Sequence, residues 1–369
     1  MYTQEHPASN TNIFGRIQFS HADARKHVHN ITEKFKTFYA SQGYTEHQSV
    51  AISSGIDPTV RFVGSHISVF KPYIIEGRIP TPGYFMHQDC IRTQNAKRLL
   101  DQNYSPKWGS FFPSLGVISR SERLELVCKE VLDFLRDGLQ IADNLIRLRV
   151  NSNDTDLLEA CHNICIARNI EKDTQKPEYY RHKYGINGVW GRSFNIALHD
   201  DIDDNGTCSF SDIGNVIIIE KQEKMLGVEV ALGASTILKQ LYGLDHINDC
   251  HSVPDFKCCD TSIRHKFEDA TIVSVVLFRE GLRPNASDNK CRILRSYVRS
   301  LSYFRIITKM SIDELAEALL YFESHEFPGS EDKVYSDIID YLTTYEVELA
   351  NGKRCTPEDK IIGNALGIM

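Results

Sequence analysis

The chain has no run of eighteen apolar residues, which excludes a membrane-spanning helix. Its first residues, Met1-Tyr2-Thr3-Gln4-Glu5-His6, lack the basic and apolar pattern of a secretory leader. The 10 cysteines are therefore expected to be reduced, mostly buried thiols in a cytoplasmic protein. Positive charge is not in excess either. A formal net charge of −7 argues against a protein that coats DNA or RNA non-specifically, while leaving room for a local basic face. No internal repeat or low-complexity segment occurs. Cysteines and histidines do gather at His246, Cys250, His251, Cys258, Cys259 and His265, but without paired ligand spacing, and adjacent Cys258 and Cys259 are poorly disposed to share one ion. No structural zinc and no other metal site is expected there. The acidic run at Asp200, Asp201, Asp203 and Asp204 reads as a solvated turn.

At 369 residues, with 41% hydrophobic and 25% charged residues, the chain has the composition of an ordinary globular protein of two domains. Val28, Ile31, Phe35, Phe38 and Tyr39 recur at helical spacing up to Gly43. Residues 47–75 are β-branched and aromatic, broken by Gly55, Pro58 and Gly64, and predict short strands and turns. Pro80, Pro82 and Gly83 precede a strand at 84–92, and residues 93–109 form a long hairpin loop. Leu124, Val127, Val131, Leu135, Leu139 and Ile146 predict one long amphipathic helix over 121–150. Residues 184–233 read as strands, with Val216-Ile217-Ile218-Ile219 as a buried run. Helical periodicity returns at 233–241 and dominates from 263 to 350. The expected architecture is α+β: an antiparallel sheet flanked by helices over 1–262, followed by a helical domain over 263–369.

One stretch carries chemistry. Phe70-Lys71-Pro72-Tyr73, read as extended, precedes Arg92 at a strand end, and Ser110-Phe111-Phe112 follows on the returning strand. A guanidinium can neutralise a phosphate and a flat ring can hold a base, so Arg92 and Phe112, with Lys107 as a second cation, suit a nucleotide. Joining a carboxylate to an α-phosphate brings two anions together, and a cation between them lowers that barrier.

The order of segments resembles the catalytic core of alanyl-tRNA synthetases, a class II aminoacyl-tRNA synthetase family. Asp57-Pro58-Thr59-Val60-Arg61-Phe62 and Val69-Phe70-Lys71-Pro72-Tyr73 are similar to the family's Asn/Asp-Pro-Thr-Leu-Leu-Phe and Gln-Phe-Lys-Pro-Tyr. Asp89-Cys90-Ile91-Arg92 and Ser110-Phe111-Phe112-Pro113-Ser114-Leu115-Gly116 are similar to its second motif. Ile213-Gly214-Asn215-Val216-Ile217-Ile218 and Val228-Glu229-Val230-Ala231-Leu232-Gly233 follow in the same order. The resemblance implies a class II synthetase-like fold, ATP with Mg²⁺, and activation of a small amino acid as its adenylate for transfer to a tRNA 3′ end or another acceptor. It implies that Arg92 holds the α-phosphate and the carboxylate, Phe112 stacks on adenine, and Asn215 and Gly233 line the amino-acid pocket. Glu229 would take the substrate ammonium. Three departures stand out. Thr236 replaces the third-motif arginine, Gly185–Gly191 only faintly matches the family's glycine-rich loop, and Trp108 and Gly109 stand where the family has histidines. These leave open a catalytically degenerate paralogue that binds tRNA or amino acid. Glu220, after the buried strand, is a weak magnesium candidate.

Arg292, Arg295 and Arg299 recur along one helix whose other side carries Leu294, Tyr297, Val298 and Leu301. Guanidinium groups in a row match a phosphate backbone. Gly281-Leu282-Arg283-Pro284-Asn285 and the arginines after it resemble the family's tRNA-recognition domain, which implies that Asn285, Arg292, Arg295 and Arg299 face an acceptor stem. No editing domain resembles any part of the chain, so a stand-alone unit is expected.

Overall fold

The structure, a computed structural model, describes residues 19–202, 208–256, 258 and 260–368. Cys259, Asp203 and Asp204 lie outside them. The strands are β1 (Thr45–Glu46), β2 (Gly83–Ile91), β3 (Phe111–Ser119), β4 (Ile146–Val150), β5 (Ile170–Lys172), β6 (Arg181–Lys183), β7 (Val189–Ile202), β8 (Cys208–Lys221) and β9 (Lys224–Gly233). They form one sheet in the order β1-β2-β3-β9-β8-β7-β4-β5, with β6 on β7. Pairing is antiparallel from β2 across to β4, and parallel only at β1–β2 and β4–β5. This is the expected antiparallel sheet, and helices flank it.

Side-chain alternation explains its two faces. Phe85, Leu115, Val117, Val216, Ile218, Val228, Val230 and Leu232 point to one side. They meet the apolar stripes of α1 (Ala24–Ser41), α3 (Leu124–Asp133), α4 (Thr155–Ile164) and α5 (Ala234–Tyr242) in the larger core of the sheet. On the other side Met86, Ile118, Ile217 and Ile219 are roofed by Val69, Phe70 and Ile74 of α2 (Ile67–Ile75).

That α2 is a helix corrects the extended reading of residues 70–73. Its β-branched residues and Pro72 argue against a helix locally. Burial of three apolar side chains and a buried Lys71–Asp57 ion pair of 2.5 Å override them. Lys71 also donates to Thr59 Oγ1 at 2.9 Å, so Asp57-Pro58-Thr59 and Phe70-Lys71-Pro72 are two halves of one clamp. The helix expected over 121–150 also breaks. After α3 a wider turn runs over Phe134–Gly138, with the Leu139 N–H bonded to the Phe134 carbonyl at 2.9 Å. Gln140 then takes a left-handed φ of 59° and the chain turns into β4. There Ile146, Leu148 and Val150 are buried and Arg147 and Arg149 alternate with them, a period of two that the longer helical pattern had absorbed.

The C-terminal part is helical as expected: α6 (Thr261–Arg279), α7 (Asn289–Ile307), α8 (Ile312–Glu326), α9 (Tyr335–Ala350) and α10 (Pro357–Ala365). Its apolar core continues across position 262 into Ile52, Phe62, Ile91, Leu99 and Phe111. The helices and the β2–β3 hairpin are thus packed as one body. Among the described residues no helix is long and apolar enough to cross a membrane.

Candidate functional site

β2 and β3 carry Arg92 and Phe112 to the end of the sheet. Ile91 faces Phe111 and Cys90 faces Phe112 across the ladder, and the Arg92 N–H continues it to the Ser110 carbonyl at 2.9 Å. Phe111 points into the core, 3% exposed, so the alternation leaves Phe112 half-buried on the opposite side. The Arg92 guanidinium lies 4.8 Å from the Phe112 ring centroid, and its Nε donates to the Gly64 carbonyl at 3.2 Å. Partial desolvation by neighbouring protein atoms pulls its pKa down from the usual arginine value. No carboxylate among the described residues pairs with it. Lys107 is exposed on the hairpin beside Trp108, which is 67% exposed.

The hairpin is held from behind by a residue the sequence did not single out. Asp269 of α6, 1% exposed, accepts from the Ser110 N–H at 2.6 Å, from Ser110 Oγ at 2.7 Å and from Asn95 Nδ2 at 3.0 Å. Burial pushes its carboxyl up from the usual range. Asn95 in turn donates to the Trp108 carbonyl at 2.9 Å. The first of the C-terminal helices therefore fixes the strand ends from which Arg92 and Phe112 project.

Farther along the same face, on β9, Glu229 sits opposite Ile118 on β3 and Ile217 on β8, and is 2% exposed. Tyr184 donates to its Oε2 at 2.6 Å, and His66 Nε2 lies 3.0 Å from its Oε1, at ion-pair distance though off the hydrogen-bond line. His66 is anchored by Ser114 Oγ at 2.8 Å from its Nδ1. Its ring lies flat on Gly116, where a Cβ would come within 2.1 Å of Cδ2. Only glycine admits the ring at that point. Glu229 is thus walled in by two side chains, and a substrate ammonium reaches it only by displacing one of them. Neither His66 nor Tyr184 carries a local signature; their meaning arises from pairing across the fold.

Asn215 faces Asn195 across β8–β7 and Ala231 across β8–β9. It is half-buried and its Oδ1 has no hydrogen-bond partner. Beside it runs a polar line. His182 contacts Ser193 Oγ at 2.8 Å, Ser193 donates to Asn195 Oδ1 at 3.2 Å, and Asn195 donates to Asp212 at 2.7 Å. Asp212 is bound by Arg149 at 2.8 Å and by the Tyr179 hydroxyl at 2.8 Å. Burial lowers the His182 pKa; Glu229 opposes this, and the charges of Arg181 and Arg92 reinforce it. His182 therefore lies within the electrostatic reach of Arg92 and takes up a proton less readily than a free imidazole.

Gly233 ends β9 beside Ser114, and a Cβ there would lie 2.5 Å from Thr236 Oγ1. Thr236 covers that end of the strand without supplying a cation. In the faint glycine-rich loop, Gly185 has φ +72° and packs against Thr59, where a Cβ would lie 2.7 Å from Oγ1. Gly191 makes room for Ile217 and Tyr184. The loop thus packs on the clamp formed by residues 57–71. Glu220 is bonded through both oxygens to Arg192 at 3.2 Å. With Glu229, Asp212 and Glu220 all engaged, the carboxylates do not fit a dedicated magnesium site.

The helical arginines divide. On α7, Leu294, Tyr297, Val298 and Leu301 are buried, as the periodicity requires. Arg295 caps the preceding loop through the carbonyls of Pro284 and Ala286 at 2.5 and 2.7 Å. Arg299 stacks 4.7 Å from the Tyr345 centroid, pairs with Asp359 at 3.3 Å and donates to Tyr341 at 3.1 Å. Arg292 and Asn285 are exposed. A row of three solvent-facing guanidiniums is therefore not formed, because two of them satisfy groups of their own domain.

No protein-family model matches the chain, and no curated protein matches it. Several solved structures do. The RNA-binding domain of threonyl-tRNA synthetase from Cryptosporidium parvum Iowa II is 10% identical, with a TM-score of 0.42, covering 63% of this chain and 68% of that one. Histidyl-tRNA synthetase from S. aureus is 12% identical, with a TM-score of 0.35, covering 61% and 74%. Asparaginyl-tRNA synthetase from Pyrococcus horikoshii, complexed with asparaginyl-adenylate, is 9% identical, with a TM-score of 0.37, covering 63% and 68%. The solved structures named here are thus aminoacyl-tRNA synthetases, for threonine, histidine and asparagine. Likenesses of this size transfer no substrate and no residue role.

Proposed function

We propose that this protein is a synthetase-like ligase that binds ATP at Arg92 and Phe112 and activates a small carboxylic acid as its adenylate, for transfer to a tRNA 3′ end or another acceptor. The observation that carries the reading is Arg92 lying over the half-buried Phe112 ring, a cation without a carboxylate partner among the described residues. An exposed cation–π contact contributes only about 0.5–1 kcal/mol, so a purine displaces the guanidinium from the ring at small cost. The freed Arg92 then stands between α-phosphate and carboxylate and screens their repulsion, while Lys107 on the hairpin meets the phosphate tail. Asn215 and Gly233 border the acid. The alanyl-tRNA synthetase resemblance of the ordered segments supports a small acid and a tRNA acceptor, with Asn285 and Arg292 as the exposed part of the tRNA face.

Calorimetric titration with ATP, followed by acid-dependent exchange of pyrophosphate into ATP, tests this. ATP binding that disappears in Arg92→Ala, together with exchange for at least one acid, is expected. Absence of both ATP binding and exchange defeats the proposal. A second reading, a degenerate paralogue that binds without catalysis, is favoured by Thr236, which offers no charge for the phosphate tail. It predicts ATP binding with no exchange for any acid.

A further inference from the structure

Arg92 and Phe112 are diagonal neighbours on two strands, so their separation depends on the last rung of the ladder, the Arg92 N–H on the Ser110 carbonyl at 2.9 Å. A rung at a sheet end opens more readily than one inside. Here it has support from behind. Ser110 sends its N–H and its Oγ to the two oxygens of Asp269 at 2.6 and 2.7 Å. The same Oγ meets the Tyr297 hydroxyl of α7 at 2.8 Å. Asn95, on the other arm of the hairpin, donates to Asp269 at 3.0 Å and to the Trp108 carbonyl at 2.9 Å, and accepts from the Tyr104 hydroxyl at 2.6 Å. Two helices thus hold both arms of the hairpin through one serine and one asparagine.

Asp269 is 1% exposed and Tyr297 0%, and the three donors that Asp269 receives are all uncharged. A carboxyl withdrawn from water onto neutral donors is a costly way to add stability, because an apolar side chain of like volume packs without that desolvation. What the carboxyl supplies is direction, since two oxygens set where two donors of Ser110 and one of Asn95 must lie. Resting on the adenylation reading above, we infer that Asp269 and Tyr297 are positioning residues of the nucleotide site. Through Ser110 they hold Arg92 and Phe112 at the spacing that receives ATP, so the C-terminal helices set the affinity of the sheet for nucleotide. A strand end ordered for only a fraction of the time binds with an affinity lowered by that fraction. Both residues act through Ser110 and not on the ligand.

The test compares two buried tyrosine hydroxyls of the C-terminal helices in the full chain. Tyr297→Phe removes the one on Ser110, and Tyr345→Phe removes one that donates to Asp359 at 2.7 Å. Each lacks one buried hydrogen bond, so urea unfolding is expected to show similar stability losses. ATP affinity, read by calorimetry, is expected to fall about threefold in Tyr297→Phe and to stay within about 1.5-fold in Tyr345→Phe. Asp269→Asn, which sets an amide donor against the donors it now accepts from, is expected to lower ATP affinity at least tenfold; where it does not fold, Tyr297→Phe carries the test. Adding Tyr297→Phe to Ser110→Ala should cost no further ATP affinity, because the tyrosine acts through that serine. Trp108, 67% exposed on the same hairpin, reports order there. In a Trp190→Phe background its emission polarisation is expected to fall in Asp269→Asn and Tyr297→Phe but not in Tyr345→Phe. Equal ATP affinity in wild type and Tyr297→Phe, an equal loss in the two tyrosine variants, or unchanged Trp108 polarisation overturns the inference and leaves ATP binding at Arg92 standing. A wild-type chain that binds no ATP defeats the adenylation reading, and the inference falls with it.

Discussion

Arg92 and Glu229 belong to the same face of one sheet, yet their surroundings are opposite. Arg92 is exposed, has no carboxylate partner among the described residues, and is held by a carbonyl and an aromatic ring. Glu229 is sealed, with one oxygen bonded to Tyr184, the other 3.0 Å from His66, and that histidine ring pressed onto Gly116 beside it. The same contrast extends along the chain, since Lys71, Asp57 and Thr59 form a second closed cluster under the loop at Gly185. A side chain whose bonding capacity is spent inside the protein contributes to folding, and one left with capacity to spare is available to a ligand. The comparison divides the resemblance-derived residues into those two groups, and substitutions can separate them.

The closed clusters should give the largest stability losses. Lys71→Met leaves Asp57 buried without its cation, and removing one partner of a buried pair costs about 3–5 kcal/mol. Urea or thermal unfolding should show that loss, with ATP affinity of the remaining folded protein unchanged. A stable variant that had lost ATP binding would place Lys71 in the ligand site and break the comparison. Glu229→Gln is milder, because the amide keeps the shape and the tyrosine contact while removing the charge beside His66. A loss of about 1–3 kcal/mol is expected, again with ATP affinity intact.

These two predictions turn on residues that the sequence made legible to different degrees. β2, β3 and the strands over 184–233 were legible because their alternation is set by the sheet itself, and the C-terminal helices because each buries one stripe. The helix at Ile67–Ile75 was not, since Pro72 and its β-branched neighbours speak for extended chain and only the tertiary roof over Met86 and Ile118 decides otherwise. Arg92 and Phe112 were legible as a pair because hairpin strands bring them together. Asp269, which holds Ser110 from 159 positions away, and His66, which finds Glu229 from another element, leave no periodic or local trace. Glu229 itself was singled out from the sequence, but its enclosure by Tyr184 and His66 was not.

The open side should answer in the reverse sense. Arg92→Ala removes an exposed cation–π contact and one hydrogen bond, so unfolding free energy should change by no more than about 1 kcal/mol. ATP affinity should nevertheless fall at least tenfold, about 1.4 kcal/mol. Calorimetry on wild type and variant, paired with a urea curve, reads both quantities. A stability loss equal to that of Lys71→Met would move Arg92 into the structural group.

The smallest expected effect lies on α7, where the same division applies between neighbours on one helix. Arg299 and Arg295 are committed to Asp359, Tyr341 and the loop carbonyls, so replacing them would disturb folding and say little about a partner. Arg292 is exposed and offers the cleaner probe. Arg292→Ala should leave the unfolding curve within about 0.5 kcal/mol, as surface changes do. If tRNA binds this face, the variant should bind it a few-fold more weakly, and the slope of log affinity against log salt should shrink by about one phosphate contact. Measured on tRNA and on a single-stranded oligonucleotide of equal length, the loss should be confined to tRNA. An unchanged slope with unchanged affinity would remove Arg292 from any nucleic-acid contact, and Asn285 would then be the only exposed residue of the proposed face left to carry it.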